Sequence, residues 1–251
     1  MKIDMNADMG ESFGPWRMGN DQALLDHVTS ANIACGFHAG DPDVMARTMR
    51  MAAQNGVGIG AHPGFHDLQG FGRRRMRLSS DEMGNMVAYQ LGAARGIAAA
   101  AGAQVRHLKL HGALSNMASE DAGIARACFD AALRVDPDLI LVALAGTAME
   151  AAARDLGARV AAEIFADRAY EDDASLVDRS KPGAVLHDPV AAAERVIAML
   201  RDKAIHSIGG KRIPCRIDTV CIHGDGPEAV PFARQLRREL AAADIQLRMF
   251  D

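Results

Sequence analysis

Ala31-Asn-Ile-Ala-Cys-Gly-Phe-His-Ala-Gly-Asp41 sets the frame for the whole chain. Its first half is a short apolar run bounded by small residues, the pattern of a buried strand, and its second half gathers glycines, a histidine and an aspartate. Glycine allows a sharp turn and a close backbone approach, while Pro42 after Asp41 suits the first turn of a helix that Asp41 caps. The segment therefore reads as a strand that ends in a polar loop carrying His38. A capped loop with a solvated histidine fits this stretch equally well, and the recurrence of the pattern elsewhere argues for the functional reading.

Outward from this segment the pattern repeats. Lys2 to Asn6 alternates as a first strand, followed by Ala7-Asp8-Met9-Gly10-Glu11 as a polar loop. Val57 to Ala61 is a strand ending at His62-Pro63-Gly64, after which a long loop runs through Arg73-Arg74. Gln104 to Leu110 delivers Lys109 and His111, Leu139 to Leu144 is the most apolar strand, and Arg159 to Ile164 leads to Asp167-Arg168. Asp218 to Ile222 ends at His223-Gly-Asp225. Helices are expected over 43–54, from Ser79 or Ser80 to Gly102, from a Ser119 cap to Arg134, over 147–156 and 189–203, and from Pro227 to Ala242. Ile208 to Pro214 reads as irregular, and Ile245 to Met249 as a short strand without an assignable neighbour.

Seven strands alternating with helices predict a parallel α/β sheet with right-handed crossovers. An open doubly wound sheet would gather its polar residues at one switch point, whereas here they follow six of the seven strands. That distribution favours a TIM-barrel-like (β/α)7 barrel whose C-terminal rim is one site. The 251 residues suit one barrel domain spanning 1–251. Hydrophobic residues make up 49% and aromatics only 4%, so the interior must be built from aliphatic side chains and methionine.

Composition excludes several classes. A net charge of -4 without a long basic run argues against nucleic-acid binding. No run reaches membrane-span length and no secretory h-region follows Met1-Lys2. Cys35, Cys128, Cys215 and Cys221 lack CxxC or finger spacing, which fits reduced thiols in a cytoplasmic protein. There is no GxSxG, and Cys35 reads as packing. Gly14-Pro-Trp-Arg-Met-Gly19 has phosphate-loop glycine spacing, but Asn20-Asp21 stand where Lys and Ser/Thr are required.

The rim offers Asp8, His38, His62, Lys109 and His111 as candidate catalytic residues. Asn6, Glu11, Asp41, Arg73, Arg74, Glu163, Asp167, Arg168, His223 and Asp225 are candidates for binding substrate or phosphate. Two mechanisms are open. Asp8, His38 and His62 form a plausible ligand set for a divalent metal with an open position. Without metal, a carboxylate or histidine acts as general base while Lys109 and Arg168 stabilise charge on oxygen.

Asn6-Ala-Asp-Met-Gly-Glu11, Ala31 to Asp41, Gly60-Ala-His-Pro-Gly64, Asp67 to Arg74, His111-Gly-Ala-Leu114, Glu163 to Arg168 and His223-Gly-Asp225 together resemble the LamB/YcsF family. The resemblance spans nearly the whole chain. It implies a seven-stranded barrel related to glycoside hydrolase and deacetylase folds. It also implies an ATP-dependent hydrolase that opens 5-oxo-L-proline to L-glutamate in a complex with two partner subunits, B and C, with ATP as co-substrate. Two departures stand out. The family's Lys-Pro-His-Gly-Ala-Leu-Tyr-Asn is here Lys109-Leu-His-Gly-Ala-Leu-Ser-Asn116, and His66 replaces a proline before Asp67. Ser115 in place of tyrosine alters one wall of the expected pocket. A stand-alone metal-dependent amidase or deacetylase, and a non-catalytic role within the complex, are the competing readings. Self-association is left open.

Overall fold

The structure is a computed structural model and describes residues 1–224, 226 and 228–250. In chain order its elements are β1 (Lys2–Met9), α1 (Asp21–Leu25), β2 (Ser30–Ala34), α2 (Pro42–Gln54), β3 (Gly58–His62) and α3 (Ser80–Ala100). Next come β4 (Val105–Lys109), α4 (Gly112–Glu120), α5 (Ala122–Val135), β5 (Ile140–Leu144), α6 (Ala148–Asp155) and β6 (Arg159–Phe165). The chain continues with α7 (Pro189–Asp202), β7 (Ala204–His206), β8 (Arg212–Pro214), β9 (Thr219–Ile222), α8 (Ala229–Ala242) and β10 (Gln246–Leu247).

β1, β2, β3, β4, β5, β6 and β9 pair in parallel in that order, and β9 returns to β1 with Asn6 opposite Cys221. The expected closed seven-stranded barrel is what forms. Closure leaves no exposed edge among these strands, so each strand is buried on both faces. β10 adds in parallel to the start of β1, which places the final strand. The piece expected to be irregular contains an antiparallel hairpin of β7 and β8.

The two faces of each strand differ in chemistry. Outward residues such as Ile3, Met5, Ala7 and Met9, or Leu139, Leu141 and Ala143, join the helices in one continuous apolar core. Inward residues are largely polar. Thr29, Ser30 and Thr219 hydroxyls donate to Asp4, Asn6 donates to Glu163 and Thr219, and Asn32 donates to Asn6 and Asp8. His107 contacts Asn32 Oδ1 at 2.9 Å, in space left by Gly60, where a Cβ would overlap the imidazole. Burying so many polar groups is tolerable only because each finds a partner. At the far end Ile140, Val142 and Ala161 close the barrel with Phe250 packed against them.

Helix starts follow the local chemistry. Asp41 accepts from Val44 N with Pro42 in the first turn of α2, and Ser79 with Glu82 forms a capping box at α3. One helix expectation fails. Ser119 does not cap a helix; it lies inside α4, its hydroxyl donating to Ser115 O, and Asp121 caps α5 instead. Asp121 supplies a carboxylate to the amides of Gly123 and Ile124, which the buried Ser119 is not placed to do. β1 also runs to Met9 rather than stopping at Asn6, because Asp8 points into the barrel and is satisfied there. Among the described residues no helix is long and apolar enough to cross a membrane.

Candidate functional site

The C-terminal ends of the strands open onto a cavity of about 330 Å³, lined by Asp8, Glu11, His62, Lys109, His111 and His223 among others. Arg73, Arg168 and Arg179 share its wall. His62 ends β3, His111 follows β4, and His38 sits in the loop between β2 and α2.

The three rings are tightly packed. His38 and His111 stack with centroids 3.7 Å apart, and His62 stands edge-on to both. The covering loop after β3 fixes this arrangement through glycine. At Gly72, with φ +62°, an added Cβ would lie 2.7 Å from His38 Cβ, so only glycine lets the loop close over the rings. Gln90 of α3 anchors the loop by accepting from Gly64 N and donating to Gly64 O.

The hydrogen bonds assign the tautomers. His62 Nδ1 lies 2.7 Å from the carbonyl of Lys109, and His111 Nε2 lies 2.8 Å from that of Phe71. Carbonyls only accept, so these nitrogens carry protons and the neutral rings present bare lone pairs at His62 Nε2 and His111 Nδ1. Those two atoms face each other at 3.1 Å. Lone pairs so placed repel, and the site calls for a positive charge at that point, a proton or a metal ion. Both nitrogens of the buried His38 lack a hydrogen-bond partner. Burial, reinforced by His111 and His62, holds His38 well below the ordinary imidazole range, and burial does the same for His111.

Glu11 completes a set with His38, His62 and His111 whose ligand atoms all lie within 4.8 Å of one another. Three imidazoles and one carboxylate, with the ring N–H groups of His62 and His111 tied to backbone carbonyls, suit a divalent transition ion such as zinc. The donor chemistry and the orphaned His38 nitrogens fit such an ion. The set differs from the expected Asp8, His38 and His62. Asp8 lies one layer deeper, with Lys109 Nζ 3.1 Å away and His62 Nε2 3.4 Å away. Asp8 thus touches both the lysine and one histidine, while Glu11, beyond the strand, groups with all three histidines.

Beneath the mouth, Lys109 Nζ is held by Asp8, by Glu163 at 2.9 Å and by Cys221 Sγ at 2.9 Å, and lies over the Phe165 ring. Burial opposes its charge, but Asp8, Cys221 and Glu163 outweigh that and raise its pKa well above the usual value. Burial likewise pushes the Asp8 carboxyl up, yet His62 and Lys109 hold it well below the usual range. Glu163 is raised by burial. Cys35 is buried and its thiol is pushed up to about 12, as befits a packing residue.

The other expected site residues divide. Arg73 lies over the Phe71 ring and lines the cavity, and Arg168 lines it while donating to Val177 O. His223 lines the cavity and binds Asp167 Oδ2 at 2.8 Å. Asn6 and Glu163 lie in the barrel interior below. Asp41 and Arg74 are turned to other work: Asp41 caps α2 and accepts from Gly14 N, while Arg74 pairs with Asp67. Asp225 lies outside the described residues. Arg179 was not anticipated from sequence; it comes from the long polar loop before α7, where only its charge marks it.

Residues 3–251 match the LamB/YcsF family. A chain from Ruegeria pomeroyi that bears the name of a 5-oxoprolinase subunit is 60% identical over 250 residues, covering 100% of this chain and 99% of that one. One of the same name from Rhodopseudomonas palustris is 55% identical over 249 residues, covering 99% and 98%. The crystal structure of a lactam utilization protein from Thermus thermophilus superposes over 100% of both chains with TM-score 0.93 and 44% identity. A carbohydrate esterase from Streptomyces lividans shares only the fold, with TM-score 0.51 and 11% identity over 100% of this chain and 93% of that one.

Proposed function

The chain belongs to the LamB/YcsF family, and from that premise we propose that it is the lactam-opening component of an ATP-dependent 5-oxoprolinase. Likeness over the whole length to relatives bearing that enzyme's name carries the reading. The cavity is chemically suited to it, because cationic side chains and a cluster of ligand-type nitrogens face the same space. Its partners are subunits B and C, and its four free cysteines accord with a cytoplasmic setting.

A five-membered lactam is a stable amide. Phosphorylation of its carbonyl oxygen by ATP turns that oxygen into part of a leaving group, and the overall change consumes two waters: 5-oxoproline, ATP and water give glutamate, ADP and phosphate. Arg73 and Arg168 meet the substrate's negative charge. Lys109 keeps Asp8 ionised, and Asp8 orients the attacking water. Glu11, His38, His62 and His111 would hold a divalent ion, which supplies Lewis acidity toward an oxygen of the substrate.

The test is reconstitution. The chain is mixed with candidate B and C subunits, 5-oxoproline and ATP, and glutamate and ADP are measured with each component omitted in turn. Glutamate that depends on this chain and on ATP supports the reading. Glutamate without ATP would establish the second reading, a stand-alone metal-dependent amidase, which the Glu11 and histidine cluster favours. Turnover unaffected by omission of this chain would overturn both.

A further inference from the structure

His223 lines the same cavity as His62 and His111 and is held from both sides. Its Nδ1 donates to Asp167 Oδ2 at 2.8 Å, which leaves a lone pair on Nε2, and Arg179 Nη2 donates to that lone pair at 2.9 Å. Both His223 and Arg179 line the cavity. Arg179 belongs to the loop between β6 and α7, which is fastened to the mouth where Arg168 donates to the carbonyls of Val177 and Ala184. Three guanidinium groups, those of Arg73, Arg168 and Arg179, therefore share one small space. Burial, and next the charge of Arg179, bring Arg168 down to about 10, a sign of how closely these cations crowd.

A guanidinium donating to a neutral imidazole makes a weaker bond than the forked, charge-assisted pair it makes with a carboxylate or phosphoryl group. We propose that Arg179 is the anion-recognising residue of this cavity and that it uncovers His223 when ligand binds. Without ligand it covers His223 Nε2. An entering carboxylate or phosphoryl group draws the guanidinium away, and Nε2 then faces the reacting carbon. With Asp167 fixing the tautomer, the freed Nε2 accepts a proton from water. The water oxygen bonds to the carbonyl-derived carbon as that carbon's π pair moves to its heteroatom. The proton step rests on the lactam-opening reading; the movement of Arg179 does not.

Nitrogen-15 spectra of the histidine rings test it, with the His223 signals assigned by their loss in His223→Gln. Inorganic phosphate and 5-oxoproline are each titrated alone into the wild-type chain and into Arg179→Ala and Arg179→Lys. The expected result is a shift of His223 Nε2 in the wild type that is absent in Arg179→Ala. A response to phosphate alone identifies the phosphoryl group as the anion, and one to 5-oxoproline alone identifies the carboxylate. In the assembled complex, Arg179→Ala should raise KM for 5-oxoproline at least tenfold, and Arg179→Lys, which keeps the charge but loses the fork, should recover only part of that loss. No His223 shift with either probe, or an equal shift in Arg179→Ala, overturns the proposal. A complex that makes no glutamate removes the lactam-opening reading and leaves the ring titration to judge Arg179 independently.

Discussion

Replacing Lys109 with methionine keeps the length of the side chain and removes the cation between Asp8 and Glu163, whose oxygens lie 3.1 and 2.9 Å from Nζ. All three groups are almost completely buried. Removing one partner of such a set costs about 3–5 kcal/mol at neutral pH, since two carboxylates lose their counter-charge. For a chain of this size that corresponds to a fall in Tm of roughly 6–20 °C. The pH dependence separates this cause from simple loss of packing. In the wild type the folded-state pKa of Asp8 is depressed, so its contribution is present above the ordinary carboxylate range and fades as pH falls below about 4. Glu163 is raised by burial even beside Lys109, and in Lys109→Met its folded-state value rises further. A raised acid is most stabilising below its unfolded pKa and loses that contribution as pH climbs through the folded value. Asp4 and Glu163, both raised, already give the wild type some gain on acidification from pH 8 to pH 5, and the variant should recover more over that range because its Glu163 is raised further. Calorimetric unfolding across that range is the assay. A Lys109→Met protein that melts within about 2 °C of wild type, or whose deficit is the same at every pH, refutes the ion-pair account.

Metal analysis of the purified chain should find about one divalent transition ion, lost on Glu11→Gln or His38→Ala; a saturating ion at a hundred times its Kd adds about 2.7 kcal/mol, so chelation should lower Tm measurably. Gly72→Ala should cost about 1–3 kcal/mol and loosen the His38–His111 stack, read by unfolding together with metal content. Asp4 is pushed up to about 6, chiefly by burial, so a contribution present below pH 4 is lost as pH rises to about 6, on the order of 3 kcal/mol, and Asp4→Asn should abolish that dependence. Asp41→Ala should cost about 1 kcal/mol through loss of the α2 cap and leave kcat and KM within about twofold, as unfolding and steady-state assays would show.

The barrel was legible because the strand-then-polar-loop unit repeats along the chain, and that unit survives modest errors in strand ends. The end of β1 was harder to read. Asp8 looks like a loop residue, and only the interior network of Asn32 and Lys109 explains an aspartate inside a strand. α4 was hidden for a related reason. Gly112, with φ +54°, resembles a turn, yet its backbone must lie close to Gly72 O, so glycine opens the helix there. The approximate membership of the site could be read from strand ends, but the grouping of Glu11 with His111 could not. Sequence spacing does not reveal which side chains rise to the same height above the barrel. Asp41 and Arg74 show the converse, polar residues near the mouth that serve the scaffold.

The inward faces of β1, β6 and β9 carry a consequence for anyone altering this molecule. Thr219 touches Asp4 and Asn6, Asn6 touches Glu163, Glu163 touches Lys109, and Lys109 touches Asp8 beside His62. Support and chemistry are thus one connected fabric. In a barrel filled with aliphatic side chains, a deep substitution would be absorbed by repacking, and the reacting groups would scarcely register it. Here even Thr219→Val, a trade of equal bulk at the base of the molecule, unseats two neighbours at once and is transmitted upward. Such a protein tolerates change on its outer helices and resists piecemeal retuning from within.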